Sequence, residues 1–235
     1  MANASSFVRP STRPDEIHSL LTGVERYNPQ KIGMLEDYLA RQCANTDSTN
    51  NHDLMANLAL LKMYQFNPDL VDLDVTRRIL AKALISPSTG DFNLCLYLLS
   101  DEVCKDAAIA KLLVLRDYLE QAQFAKFWKE IYGNDDDEEE SVVDGIAGFD
   151  NGLRRLILGD VTRTYQTIPA KWIQDMVNLD EEAVLRLAKD NGWVVDDKGV
   201  VTLPLKRENE AKATVIKESV KFEQLTKILS ASNDI

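Results

Sequence analysis

LDEEAVLRLAKDNGWVVDDKGVVTL, residues 179–203, is the stretch whose reading decides the fold. Asp180 is placed to cap a helix, Glu181 and Glu182 fall at the positive end of its dipole, and Leu179 can staple to Val184. Gly192 closes that helix. Trp193-Val194-Val195 and Val200-Val201-Thr202-Leu203 then flank Asp196-Asp197-Lys198-Gly199, which predicts a hairpin. Just upstream, Pro169 opens a short helix with Trp172, Ile173, Met176 and Val177. Before it a helix is predicted from about Ser141, carrying Val142, Ile146, Phe149, Leu153, Leu156 and Ile157. Three helices followed by a hairpin is the order of a winged helix.

Working toward the N-terminus, the period is helical throughout. Ile17, Leu20, Leu21 and Val24 recur at i, i+3, i+4 and i+7, which places all four on one face. Asn28-Pro29 reads as a cap followed by a first-turn proline, and Ile32, Leu35 and Leu39 carry on the second helix. A polar break covers Asn45 to Asn51. A third helix puts Leu54, Leu58 and Leu61 on one stripe and stops near Asn67-Pro68; a fourth, from about Asp74, turns Val75, Ile79 and Leu80 inward. After the loop Ser86–Gly90, helices are predicted near 91–103, 106–120 and 122–132, the last anchored by Phe124, Phe127, Trp128 and Ile131. Paired helices with apolar stripes stack into a solenoid, and an irregular bundle fits the pattern almost as well.

The predicted organisation is therefore mainly α. Residues 1–14 form a polar tail, 15–134 a helical domain, 135–140 an acidic loop, 141–205 a winged-helix domain with its leading helix, and 206–235 a C-terminal tail and helix. Phe222, Leu225, Ile228 and Leu229 make an apolar stripe on that closing helix, and they are the candidate partner-binding residues.

Charge narrows the function. The 235 residues carry a net −11, and residues 135–205 hold most of it, with 16 acidic side chains against 7 basic. Phosphate backbones are bound by releasing counterions from basic surface, so direct nucleic-acid binding is not expected, although Lys206, Arg207 and Lys212 form a local basic segment. The helix at 180–191 is net acidic and its hairpin adds Asp196 and Asp197, which favours protein docking over reading a duplex. No run approaches the ~18 apolar residues of a membrane span, and the first residues lack the apolar core of a signal peptide. Cys43, Cys95 and Cys104 are read as reduced core thiols of a cytoplasmic protein.

Catalysis finds little footing. His18 and His52 are the two histidines, and neither sits in a nucleophile or zinc motif. The run Asp135–Glu140 lacks the sixth-position glycine of a calcium loop, since Glu140 stands there. No glycine-rich phosphate loop is present, and Trp128, Trp172 and Trp193 are expected in the core rather than at an interface.

Specific segments point to a family. Gly23-Val24-Glu25-Arg26-Tyr27-Asn28-Pro29 and Ala56 through Lys62-Met63-Tyr64-Gln65-Phe66-Asn67-Pro68 resemble the k-subunit family of eukaryotic translation initiation factor three. Leu80 through Leu84, Asp91-Phe92 with Leu94-Cys95, Phe127-Trp128, Gly145-Ile146 with Gly148-Phe149, Thr164-Tyr165-Gln166 and Gly192-Trp193 extend the likeness over about residues 17–200. It departs at Thr46–Asn51 and at 135–140, where loops look lengthened. The family is one of the PCI-domain scaffolds, which also build the proteasome lid and the COP9 signalosome. The resemblance implies HEAT-like helices joined to a winged helix and no active site or cofactor. It also implies docking to other subunits of the factor, the l subunit above all, and to the small ribosomal subunit through the complex.

Overall fold

Four helices of this protein start on an aspartate. The computed structural model describes residues 9–45, 52–87, 90–132, 141–207, 210, 224–226 and 229–230. Asp53, Asp72, Asp106 and Asp180 each accept hydrogen bonds from backbone amides of the turn that follows, at 2.8–3.2 Å. Such a cap satisfies amides that have no partner inside the helix and contributes about 1 kcal/mol each. They open α3 (Leu54–Phe66), α4 (Leu73–Leu84), α6 (Ala107–Glu120) and α10 (Glu181–Asp190).

The helical part runs α1 (Asp15–Thr22), α2 (Ile32–Ala44), α3, α4, α5 (Asp91–Leu96), α6 and α7 (Phe124–Tyr132). α3 lies at its centre, packed by α1, α2, α4 and α5. Its burial goes all round the helix, from Leu54, Ala56 and Asn57 to Met63 and Tyr64, whereas the expected single stripe ran through Leu58, which is only half-buried. α4 leads to α6, α6 to α7, and α7 to α9, so each helix leans on neighbours close in sequence.

Several boundaries differ from the sequence reading, each for a visible reason. α1 ends at Gly23, whose backbone turns extended, so Val24 leaves the apolar face and stands 87% exposed. A β-carbon at Gly23 would sit 3.0 Å from the Ser19 carbonyl oxygen, so a larger residue there would require the end of α1 to shift slightly. Asn28 caps a 3-10 turn, Pro29–Lys31, that runs straight into α2. The helix expected over 91–103 stops at Leu96, followed by tight turns and a 3-10 turn at Val103–Lys105, and leaves Tyr97 exposed. The helix expected from Ser141 begins instead at Phe149, because Gly145 and Gly148 both adopt left-handed φ, +78° and +72°.

Residues 141–148 are nevertheless held firmly. Arg77 donates to the carbonyls of Val142 and Asp144 at 2.6 and 3.1 Å, and the Ala147 amide donates to the Cys43 carbonyl at 2.8 Å. From there α8 (Phe149–Thr164), β1 (Thr167–Pro169), α9 (Ala170–Val177), α10, β2 (Val194–Val195) and β3 (Val200–Thr202) give the winged-helix order. β3 is the middle strand, antiparallel to both neighbours, with Ile168 opposite Val201 and Val195 opposite Val201 on the other side. The hairpin forms as expected: Asp196 accepts from the amides of Lys198 and Val200, and Gly199 takes φ +74°. β1 is a finding of the structure; three residues ending in proline carry too little alternation to be read as a strand.

Candidate docking surface

Titratable groups gather inside the helical part. Arg13 grips Asp53 through two hydrogen bonds of 2.6 Å, both side chains buried. The Tyr38 hydroxyl donates to the same carboxylate, and the Asp53 amide donates to Gln42, which reaches Asn57. Lys82 Nζ donates to the Gln42 carbonyl at 3.0 Å, Ser86 to Asp91 at 2.6 Å, and His52 Nε2 lies 3.6 Å from Asp91. Burial sets the ionisation here. It pushes the Lys82 ammonium down, the Tyr38 hydroxyl up and the Cys95 thiol up to about 12, and it holds His52 down at about 4 against the pull of Asp91. Arg13, Tyr38, Asp53 and Gln42 are spent on one another inside a packed core, which is how a structural network looks, whereas His52 Nε2 and Asp91 Oδ1 are buried with no hydrogen-bond partner among the described residues.

A nearby cavity lined by Leu61, Tyr64, Leu98, Leu99 and Val103 holds about 100 Å³. Sites for small molecules run about 300–1,000 Å³.

The helix that would read DNA in a winged helix is α10. Its exposed side chains are Glu181, Glu182, Leu185, Arg186, Lys189 and Asp190, with Asp180 before it, and the hairpin tip adds Asp196, Asp197 and Lys198. Carboxylates outnumber cations on this face, which repels phosphate. Lys206, from the expected basic segment, donates to the Thr162 hydroxyl at 3.2 Å.

What remains is a surface between α7 and α9. Trp128 is buried, and its indole N–H donates to the Met176 carbonyl at 2.9 Å. Arg154 lies over the Trp128 ring, 5.3 Å from its centroid, and donates to the Val177 carbonyl. These contacts lock α7, α8 and α9 together and form the floor of a trough. It runs from Phe124 and Trp172 at one end to Tyr132 and Leu179 at the other, with Ala125 and Asp175 shared by both halves. Trp172 projects into it 54% exposed, against the expectation of a core position. The reason is geometric: neighbours on a helix point about 100° apart, and Ile173, fully buried, takes the inward direction. Trp128 and Trp193 are buried as expected.

Of the closing-helix residues, Leu225 and Leu229 lie in helical backbone, 43% and 62% exposed. Phe222 and Ile228 lie outside the described residues, as do Lys212, the insertion Thr46–Asn51 and the acidic run Asp135–Glu140. The trough had no sequence signal beyond Trp172, because its walls come from segments 45 residues apart that read separately as ordinary helices.

Comparison with known proteins adds a second line. Residues 70–214 match the CSN8/PSMD8/EIF3K family. A Mycosarcoma maydis protein named eukaryotic translation initiation factor 3 subunit K is 33% identical, over 97% of this chain and 95% of its own. Proteins of the same name from Yarrowia lipolytica and Cryptococcus neoformans are 35% and 33% identical, covering 96% and 98% of this chain and 97% and 96% of theirs.

Proposed function

Because the chain belongs to the CSN8/PSMD8/EIF3K family, we propose that it is a non-catalytic scaffold subunit of eukaryotic translation initiation factor three, acting in the cytoplasm. The observation that carries this reading is near-full-length identity to proteins named as subunit K of that factor. Loops alone would not account for it, since the matched length includes both the helical part and the winged helix. The buried Arg13–Asp53–Tyr38 network and the acidic α10 face agree with it.

In this reading the protein works in two units, 15–134 and 141–205, followed by a docking tail. It contacts other PCI subunits, the l subunit first among them, and reaches the small ribosomal subunit through the complex. The stripe Phe222, Leu225, Ile228 and Leu229 packs with helices of those partners; the exposure of Leu225 and Leu229 supports this. A tagged full-length chain should recover the other subunits in constant ratio, and RNase should not release them. A chain ending at Arg207 should lose that recovery while keeping the thermal transition of the full protein. Partners that vanish with RNase would overturn the scaffold reading, and full assembly by the truncated chain would overturn the role of the tail.

A further inference from the structure

We propose that the trough between α7 and α9 receives an amphipathic helix of a partner protein. The helix would carry a large apolar anchor against Trp172 and carboxylates on the flank that faces α7. The residues that line this trough are not those of the closing stripe, and the inference does not depend on which complex holds the protein.

Four observations set the chemistry of the occupant. The first is shape: the nine residues of α7 span about 13 Å, some two and a half turns, the length over which a helix presents anchors at i, i+4 and i+7. The second is the lining, where Trp172 and Tyr132 stand half exposed and Met176 and Leu179 half buried on either side of the small Ala125, with Gln174 and Asn178 adding polar groups at the Tyr132 end. An exposed tryptophan beside a small residue gives an anchor and a space next to it, the composition of a binding hot spot. The third is rigidity. The floor is fixed by the Trp128–Met176 and Arg154–Val177 hydrogen bonds, so little ordering cost falls on binding.

The fourth is charge. Lys126 and Lys129 are exposed on the α7 wall, and neither has a carboxylate within ion-pair distance among the described residues. In a chain of net charge −11, two lysines with no such partner among the described residues, beside a trough that is apolar around Trp172 and polar toward Asn178, are a local site for anions. Asp175 on the α9 wall repels carboxylates, so the two walls orient the guest with its acidic flank toward α7. Asp175 in mid-trough and the acidic α10 face nearby disfavour a nucleic acid. The chain's own residues 206–235, with six basic and five acidic side chains, lack an acidic excess.

The test places a photo-crosslinking benzoylphenylalanine at exposed Ala125 in the full-length chain in its native cells, and the crosslinked segment is sequenced by mass spectrometry. The expected product is a segment of another protein with apolar residues at helical spacing and at least two carboxylates. Its synthetic peptide should bind the wild-type chain. Trp172→Ala should weaken that binding about thirtyfold or more. The double change Lys126→Glu with Lys129→Glu should weaken it about tenfold, with loss of its salt dependence. Both variants change exposed side chains, so their thermal transitions should match the parent. Crosslinks to RNA, to the chain's own tail, to a segment without carboxylates, or to nothing would overturn the proposal. So would binding indifferent to the lysines. Retained recovery of the complex in those cases would leave the proposed function standing.

Discussion

The two halves of the molecule solve the problem of a core differently. Every buried polar or charged side chain among the described residues lies between Arg13 and Asp91. The winged helix from Phe149 to Leu203 buries only apolar residues and a glycine: Leu153, Ile157, Ile173, Val177, Val184 and Val201 are its fully enclosed members. An apolar contact tolerates sliding and repacking. A guanidinium forked onto a carboxylate is satisfied in one geometry. The first half brings together segments 40 residues apart, Arg13 with Asp53 and Lys82 with Gln42, and a polar network names which segments meet. The second half is short and consecutive, and its strand register and caps already fix the pairing.

The contrast can be broken by removing single groups. Asp53→Ala should cost the most, about 3–5 kcal/mol, because it strands a buried Arg13, frees the Tyr38 hydroxyl and uncaps α3. Denaturant unfolding measures this, and a cost near 1 kcal/mol would show that the pair is solvated. Ile173→Ala in the winged helix should cost somewhat less, about 2–4 kcal/mol, entirely through lost burial and the cavity left behind.

Acidity should separate the halves more gently. His52 faces Asp91, Asn57 and Lys82, and burial holds it neutral, from an ordinary 6.5 down to about 4. The unfolded chain therefore takes up the proton first as pH falls. Its stabilising contribution is complete above pH 6.5 and is lost progressively toward pH 4, by up to about 2 kcal/mol at pH 5. Hydrogen exchange at pH 7 and pH 5 should show α3 and α4 losing protection while α9 and α10 keep theirs, and His52→Gln should flatten the difference. Smallest of all, Arg163→Ala should change stability by less than about 0.5 kcal/mol, since its pair with Asp160 spans 3.7 Å between exposed groups. A larger loss would mean that the winged helix does lean on charge.

The same contrast explains what was legible in the sequence. Apolar faces repeat every 3.6 residues, so Ile17, Leu35, Ile79, Phe127 and Ile173 could be placed inside from their spacing alone. The hairpin could be placed too, because Asp196 and Gly199 make its turn within six residues. The polar network could not. Arg13 belongs to a segment with the composition of a tail and Asp53 comes just after a polar break, and nothing in either neighbourhood announces the other. Boundaries failed where one backbone angle decides, as at Gly23 and Gly145. The closing stripe was legible as a pattern, but solvent-facing and partner-facing leucines read alike, so Leu225 and Leu229 carry no signal for their destination.

The Arg77 fork onto the carbonyls of Val142 and Asp144 has a practical consequence for protein engineering. On one side of the acidic stretch, Tyr132 stacks on Trp128; on the other, Val142 is buried under the Arg77 guanidinium. The described chain is thus anchored on both sides of residues 133–140, at Tyr132 and at Val142, and lengthening the connection between those two anchors is expected to cost about 0.6 kcal/mol for each doubling of its length.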